Sequence, residues 1–323
     1  MRTAFVTGIL GQDGIHLSEF LSEKGYRIFG LLNNKKSPGL ADFSNKFPTI
    51  NLIEGDLTDL ESLRKAIKIS NPDEIYNLGG ISSVSFSFSN AKLSMEVNGK
   101  GALNLLEATK NLSNYQNIRF YQASSSEMYG KVTEYPQNEI TKFNPISPYG
   151  ESKVYAHNIC KKYRELYGMQ VSCGILYNHE GEYRSEEFVT RKITKSLAKI
   201  SQGKLDKIKL GTLDSKRDWG YAGDYIEAMW LMLQNKIPDD FVVATGETHS
   251  VRDFLSIAVK AAGLKGNPED YVVIDDNYKR PAEVNELVGD ASKAKRVLGW
   301  EPKVKFEDLV LRMLNHDMKS NYS

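Results

Sequence analysis

The chain carries only two cysteines, Cys160 and Cys173, and they form no CxxC spacing, so no disulfide framework or zinc site follows from them. A reducing compartment is expected, and no metal. Charge of one sign is also missing. The 42 basic and 41 acidic residues leave no overall field to draw nucleic acid or a membrane surface. Small-molecule partners are expected instead. No window reaches the roughly 18 continuous apolar residues of a membrane span. In the opening MRTAFVTGILGQDG, glycines and Asp13 interrupt the apolar run before a secretory core is complete. The segment reads as a first strand, and the cytoplasm is the expected location. No internal repeat or low-complexity linker breaks the 323 residues, which suffice for one large domain or two smaller ones.

What is present is an alternation. TAFVTG, YRIFGLL, TINLIEGD, DEIYNLG and IRFYQASS are strand-like, and helical patterns such as GIHLSEFLSEKG, DLESLRKAIKIS and VNGKGALNLLEATK separate several of them. The order predicts a doubly wound α/β domain with a parallel sheet. A helix is predicted from Pro148 to about Tyr167, with Ser147 as N-cap and Gly168 as terminator, followed by the strand QVSCGILYN. The expected division is a dinucleotide-binding domain over 1–177 and, over 178–323, a smaller mixed α/β substrate lobe with segments returning to the first domain. KIKLG, DDFVVATG and YVVID are the lobe's expected strands.

TGILGQDG sets Gly8, Gly11 and Gly14 after the first strand and at the start of a helix, where backbone N–H groups and the helix dipole can hold a pyrophosphate. Gln12 and Asp13 lie in the same turn. The GxxGxxG spacing resembles the short-chain dehydrogenase/reductase superfamily. A ribose-reading acid after strand two would indicate NAD and an arginine NADP. The segment LLNNKKSPG has neither. Asn33 or Asn34 suits a ribose hydroxyl and Lys35 or Lys36 a 2′-phosphate, so NAD is favoured and NADP stays open. Asp56 and Leu57 are candidates for the adenine side, or form an ordinary strand-end turn.

Of 17 tyrosines, only Tyr149 is followed four residues later by a lysine, Lys153. On a helix the pair shares a face, where an ammonium can stabilise a phenolate. Tyrosine's reference pKa is about 10, and each unit of lowering takes about 1.4 kcal/mol. Lys153 and a positive nicotinamide are expected to supply it together. Ser125, at the end of IRFYQASS, is placed to hydrogen-bond the substrate hydroxyl that Tyr149 deprotonates. Glu127 follows two residues later. On an extended chain it would share Ser125's face.

The set Ser125, Tyr149 and Lys153 looks like an extended short-chain dehydrogenase/reductase acting on nucleotide sugars, whose 4-epimerases typically lack an acid at position 127. With Glu127 added, the chain most resembles the GDP-mannose 4,6-dehydratase family. TGILGQDG, FYQASSSEMYG, SPYGESKVYA, FVTRKIT, DSKRDWGYAGDY and RPAEV carry the resemblance. It implies oxidation at C4, removal of the C5 proton by Glu127 with loss of the C6 hydroxyl as water, and return of the hydride to C6. The product would be a GDP-4-keto-6-deoxy sugar. The family has threonine at Ser125.

A nucleoside diphosphate needs cations, and Lys192, Arg217 and Arg280 are candidates, with Glu283 as an acceptor. The resemblance assigns Asn178, Lys192, Arg217, Arg280 and Glu283 to GDP, and it implies a homotetramer, with a dimer also possible. The family's paired arginines after strand two are Asn33 and Asn34 here, and its serine-histidine after strand four is Ser82-Ser83. With Ser83 near the sugar, the missing imidazole favours GDP-N-acetylglucosamine, used on the bacterial legionaminic acid route, over GDP-mannose. A nucleotide-sugar 4-epimerase or reductase is the alternative, and a non-catalytic dinucleotide-binding scaffold a more distant one.

Overall fold

The structure is a computed structural model that describes residues 1–278, 282, 284 and 286–320. Arg280 and Glu283 lie outside the described residues. The first half alternates β1 (Thr3–Thr7), α1 (Gln12–Glu23), β2 (Arg27–Leu32), α2 (Leu40–Lys46), β3 (Asn51–Glu54), α3 (Leu60–Ser70) and β4 (Glu74–Asn77). Then come α4 (Val84–Ser89), α5 (Ala91–Ser94), a π-helical turn Met95–Lys100, α6 (Gly101–Lys110), β5 (Arg119–Ser125), α7 (Pro148–Tyr167) and β6 (Gln170–Leu176). The second half holds β7 (Asn178–Glu180), α8 (Val189–Ile200), β8 (Ile208–Leu210), β9 (Lys216–Arg217), β10 (Trp219–Tyr221), α9 (Ala222–Gln234) and β11 (Asp240–Val243). It closes with β12 (His249–Ser250), α10 (Val251–Ala261), β13 (Val272–Ile274), α11 (Ser292–Leu298) and α12 (Phe306–Ser320).

The main sheet has seven parallel strands in the order β11-β6-β5-β4-β1-β2-β3. Residues alternate between its faces. Ala4 and Val6 join Leu17 and Leu21 of α1 and Met229 of α9, while Phe5 joins Leu63 of α3, Leu105 of α6 and Cys160 of α7. With both faces covered, the inner strands β1, β4, β5 and β6 are buried along almost their whole length. Strand order reverses between β1 and β4, and the carboxyl ends of the strands there open the crevice in which such sheets bind ligands.

Two expectations change. DDFVVATG does not form part of a separate lobe. Its strand β11 pairs with β6, Asp240 beside Cys173 through Val243 beside Leu176, because Phe241, Val242 and Val243 are fully buried there. The helix expected through VNGKGALNLLEATK contains the π turn, in which Asn98 grips the loop after β4. Its side chain accepts from Ile81 N at 2.8 Å and donates to Ile81 O at 3.0 Å and Ser152 Oγ at 3.1 Å. α9 and α11 also pack on the main sheet, while α8, β8, β10, α10 and α12 surround a second core, in which Trp219, Phe254 and Phe306 meet beside Ile193 and Leu197. Among the described residues, no helix is long and apolar enough to cross a membrane.

Asp218 of RDWG ties the segment between β9 and β10 to the loop after β11 and to Gly289. Fully buried, it accepts from Thr245 N at 2.8 Å, Thr245 Oγ1 at 2.6 Å, Gly246 N at 2.9 Å and Gly289 N at 3.3 Å. Asp218→Ala strands these donors. A loss of about 3 kcal/mol or more is expected, read as a lower urea midpoint.

Candidate active site

Glycines let the turn between β1 and α1 approach its neighbours closely. Gly8 has φ +67°, and a Cβ there would come within 2.8 Å of the Gly79 backbone. At Gly14 a Cβ would lie 2.5 Å from Gly8 O and the Ile9 backbone, and Gly11 N donates to Gly8 O at 3.0 Å. The start of α1 thus faces the sheet's crevice with open N–H groups, which fits a dinucleotide pyrophosphate.

Asn33 stands exposed just past β2, and Asn34 Oδ1 accepts from Lys36 N at 2.8 Å. Lys35 is paired with Glu54 at 2.9 Å. Asp56 Oδ1 accepts from both the backbone N and the Oγ1 of Thr58, each at 2.7 Å, a strand-end turn. Leu57 is buried.

Local chemistry sets α7. Ser147 Oγ accepts from Gly150 N at 3.0 Å, Pro148 opens the first turn, and Gly168 ends the helix at φ +64°. Because Gly150 lacks a side chain, α7 packs close to the turn after β5. A Cβ there would sit 2.7 Å from Glu127 O. Tyr149 and Lys153 then lie beside the end of β5, where Ser125 is buried. Lys153 Nζ donates to Ala123 O at 2.9 Å and stands 5.7 Å from the centre of the Tyr149 ring.

In the chain alone, burial opposes ionisation of the phenol. Burial pushes the Tyr149 phenol up to about 12, against a hydrogen bond from Ser125 that lowers it and the Glu127 carboxylate that raises it further. Burial brings the Lys153 ammonium down to about 8. Lys153 by itself therefore does not lower the tyrosine, since burial disfavours the charged form of both groups.

Glu127 differs from the expectation. It lies in a single 3₁₀ turn, Ser126–Met128, and not on an extended chain. Ser125 Oγ caps that turn by accepting from Glu127 N at 3.2 Å. The half-buried carboxylate is still close enough to raise the Tyr149 pKa.

A cavity of about 350 Å³ adjoins α4, whose Ser87 Oγ accepts from Tyr149 N at 3.1 Å. Ser83, Asn178, Lys192 and Arg217 line it, together with Glu180, Phe188, Trp219 and Tyr278. Ser83 also caps α4, accepting from Phe86 N at 3.2 Å. Arg217 is held by the carbonyls of Lys216 at 2.7 Å and Val284 at 2.8 Å. Lys192 Nζ is buried with no hydrogen-bond partner among the described residues, 3.2 Å over the Tyr278 ring. A buried ammonium facing a cavity fits an anion. Lys192→Met is expected to raise KM for a nucleotide sugar on the order of 10-fold with kcat little changed, checked by steady-state kinetics.

Three groups were not apparent from sequence patterns. Asn98 was hidden in a helical run. His179 pairs with Asp13 at 2.9 Å, and Arg184 pairs through Nε with Glu180 at 2.9 Å while stacking on Phe188 at 3.6 Å. His157, Cys173 and Asp240 bring ligand-type atoms within 4.8 Å of one another. Arg164 already holds Asp240 at 2.9 and 3.1 Å, with Lys161 at 3.8 Å, and these charges oppose a cation.

Known proteins are similar to this chain over nearly its whole length. The sequence profile described as GDP-mannose 4,6 dehydratase matches residues 5–313. GDP-mannose 4,6 dehydratase 1 of Arabidopsis thaliana is 48% identical, over 98% of this chain and 90% of the relative. The GDP-mannose 4,6 dehydratase of Homo sapiens is 46% identical, over 98% of this chain and 92% of the relative. Among solved structures, the UDP-glucose 4-epimerase of Thermus thermophilus in complex with NAD aligns over 98% of both chains, with TM-score 0.84 and 26% identity.

Proposed function

The chain belongs to the GDP-mannose 4,6 dehydratase family, and from that premise we propose that Ser125, Glu127, Tyr149 and Lys153 carry out the 4,6-dehydration of a GDP-hexose. The protein is an NAD(P)-dependent hydro-lyase. The observation that carries the assignment of roles is the placement of Glu127 beside the Ser125–Tyr149 pair. NAD(P) would be held by the turn containing Gly8, Gly11, Gln12, Asp13 and Gly14 and would supply oxidation at C4 and the matching reduction at C6.

Tyr149 takes the C4 hydroxyl proton, oriented by Ser125, and Lys153 supports the phenolate. With C4 a ketone, the C5 proton is acidic. Glu127 removes it and protonates the C6 hydroxyl, which departs as water. Glu127 then relays a solvent proton to C5, and Tyr149 releases its own proton to solvent. Water is the only net loss from the sugar.

NAD is favoured over NADP, since Asn33 suits a ribose hydroxyl and Lys35 is occupied by Glu54. The relatives' names favour GDP-mannose, against the expected preference for GDP-N-acetylglucosamine. The second sugar keeps one supporting observation, the small side chains of Ser83 and Ser85 on the cavity wall. Product formation across a GDP-sugar panel decides between them. A homo-oligomer is also proposed, because Phe86, Leu93 and Tyr155 are exposed by 44%, 46% and 39% on the adjoining helices α4, α5 and α7. Light scattering gives the mass.

A further inference from the structure

Strand β7 serves two sites at once. Asn178 and Glu180 line the cavity, while His179 between them points the other way, toward the first turn of α1. Its Nε2 lies 2.9 Å from Asp13 Oδ2 and its Nδ1 2.8 Å from the carbonyl oxygen of Tyr177. The same turn makes a second hold. Gln12 Nε2 donates to the carbonyl of His179 at 3.1 Å and to Asp13 Oδ1 at 3.0 Å. The imidazole is stacked on Tyr225 with ring centres 4.8 Å apart.

A carbonyl oxygen and an ionised carboxylate only accept hydrogen bonds, so a ring bonded to both carries a proton on each nitrogen. His179 is then an imidazolium that offsets the charge of Asp13. Arg184 also acts on both groups: its charge favours the Asp13 carboxylate and opposes protonation of His179. The offset matters at this place. A lone carboxylate in the first turn of α1 would repel the pyrophosphate that the helix start is shaped to hold. From β7 the linkage continues, because Glu180 accepts from Thr190 Oγ1 at 2.6 Å, and Thr190 opens the helix that carries Lys192.

We infer that the Asp13–His179 pair couples the glycine turn to the nucleotide pocket through β7, so that filling either site raises the affinity of the other. This rests on the reading of the turn as the NAD(P) site and of the cavity as the GDP site. An anion at the turn fixes the first residues of α1 and their hold on β7, which presets Asn178 and Glu180 for the second ligand. By linkage the effect is reciprocal.

Titration calorimetry with GDP, a probe that does not react, tests it on nucleotide-free full-length chain and on chain saturated with NAD. GDP is expected to bind the NAD-saturated chain on the order of 10-fold more tightly. In His179→Gln and in Asp13→Asn that ratio should fall below about 2-fold. A wild-type ratio of one overturns the coupling whether or not either variant folds, and folded variants that keep the wild-type ratio overturn the role of the pair. Failure of GDP to bind the wild-type chain in either state overturns the pocket reading, and the coupling with it. GDP binding without coupling leaves that reading intact.

Discussion

Glu127→Gln is expected to lower dehydration of a GDP-hexose by about 10²- to 10⁴-fold while NAD(P) binds as before. The amide keeps the shape of the side chain and leaves the backbone bond from Glu127 N to Ser125 Oγ in place. It cannot take the C5 proton or hand one to the departing hydroxyl. The proposed mechanism assigns oxidation at C4 to Ser125, Tyr149 and Lys153, so the variant should still produce reduced nicotinamide absorbance on mixing with substrate. Unchanged turnover would remove Glu127 from the mechanism. Loss of the absorbance signal together with turnover would place Glu127 in the first step and not the second.

Lys153→Met is expected to lower activity sharply and, at neutral pH, to stabilise the protein without ligands. The folded-state pKa of Lys153 is lowered to about 8 from 10.5. Below pH 8 the ammonium is charged in both the folded and unfolded chain, and folding must strip it of water. Between pH 8 and 10.5 the folded form gives up the proton first and stability rises. Above 10.5 the two states match. The burden at pH 7 is about 3 kcal/mol by linkage, and removing the bond to Ala123 O returns about 1 kcal/mol of it. A net gain of about 1–2 kcal/mol, or a few degrees in Tm, is expected at pH 7. The wild-type chain should gain stability from pH 8 to 9.5 relative to the variant. Tyr149 works in the opposite direction, but its raised pKa matters only above pH 10, where the unfolded phenol ionises first. A variant less stable than wild type at pH 7 would show that burial does not penalise this ammonium. Activity should fall by about 10²-fold or more, because the phenolate loses its neighbouring charge.

Much of the proposed catalytic wall was legible in the sequence because its determinants are local. Ser147, Pro148 and Gly168 bound α7 at the residues expected, and the four-residue spacing of Tyr149 and Lys153 needed only a helix. The glycine turn was equally readable, since Gly8 and Gly14 answer to backbone atoms a few residues away or in the neighbouring strand-end loop. The turn that holds Glu127 was not. Two residues after a strand the chain can stay extended or coil, and the choice depends on the Ser125 cap and on the close approach of Gly150 from a distant helix. Likewise, nothing in DDFVVATG states which edge it joins, and Asp13 meets His179 only after both halves have folded. The phenol's raised pKa follows from burial, which spacing does not report. Four of the six expected substrate residues, Ser83, Asn178, Lys192 and Arg217, come together on one cavity although they are spread along the chain.

The most direct test of the account is the product formed from GDP-mannose and NAD(P) in heavy water. The expected product is a 4-keto-6-deoxy sugar carrying solvent deuterium at C5, with the hydrogen from C4 now in the C6 methyl group. A stereoisomer that keeps its C6 hydroxyl and gains no deuterium at C5 would contradict it and make the protein an epimerase.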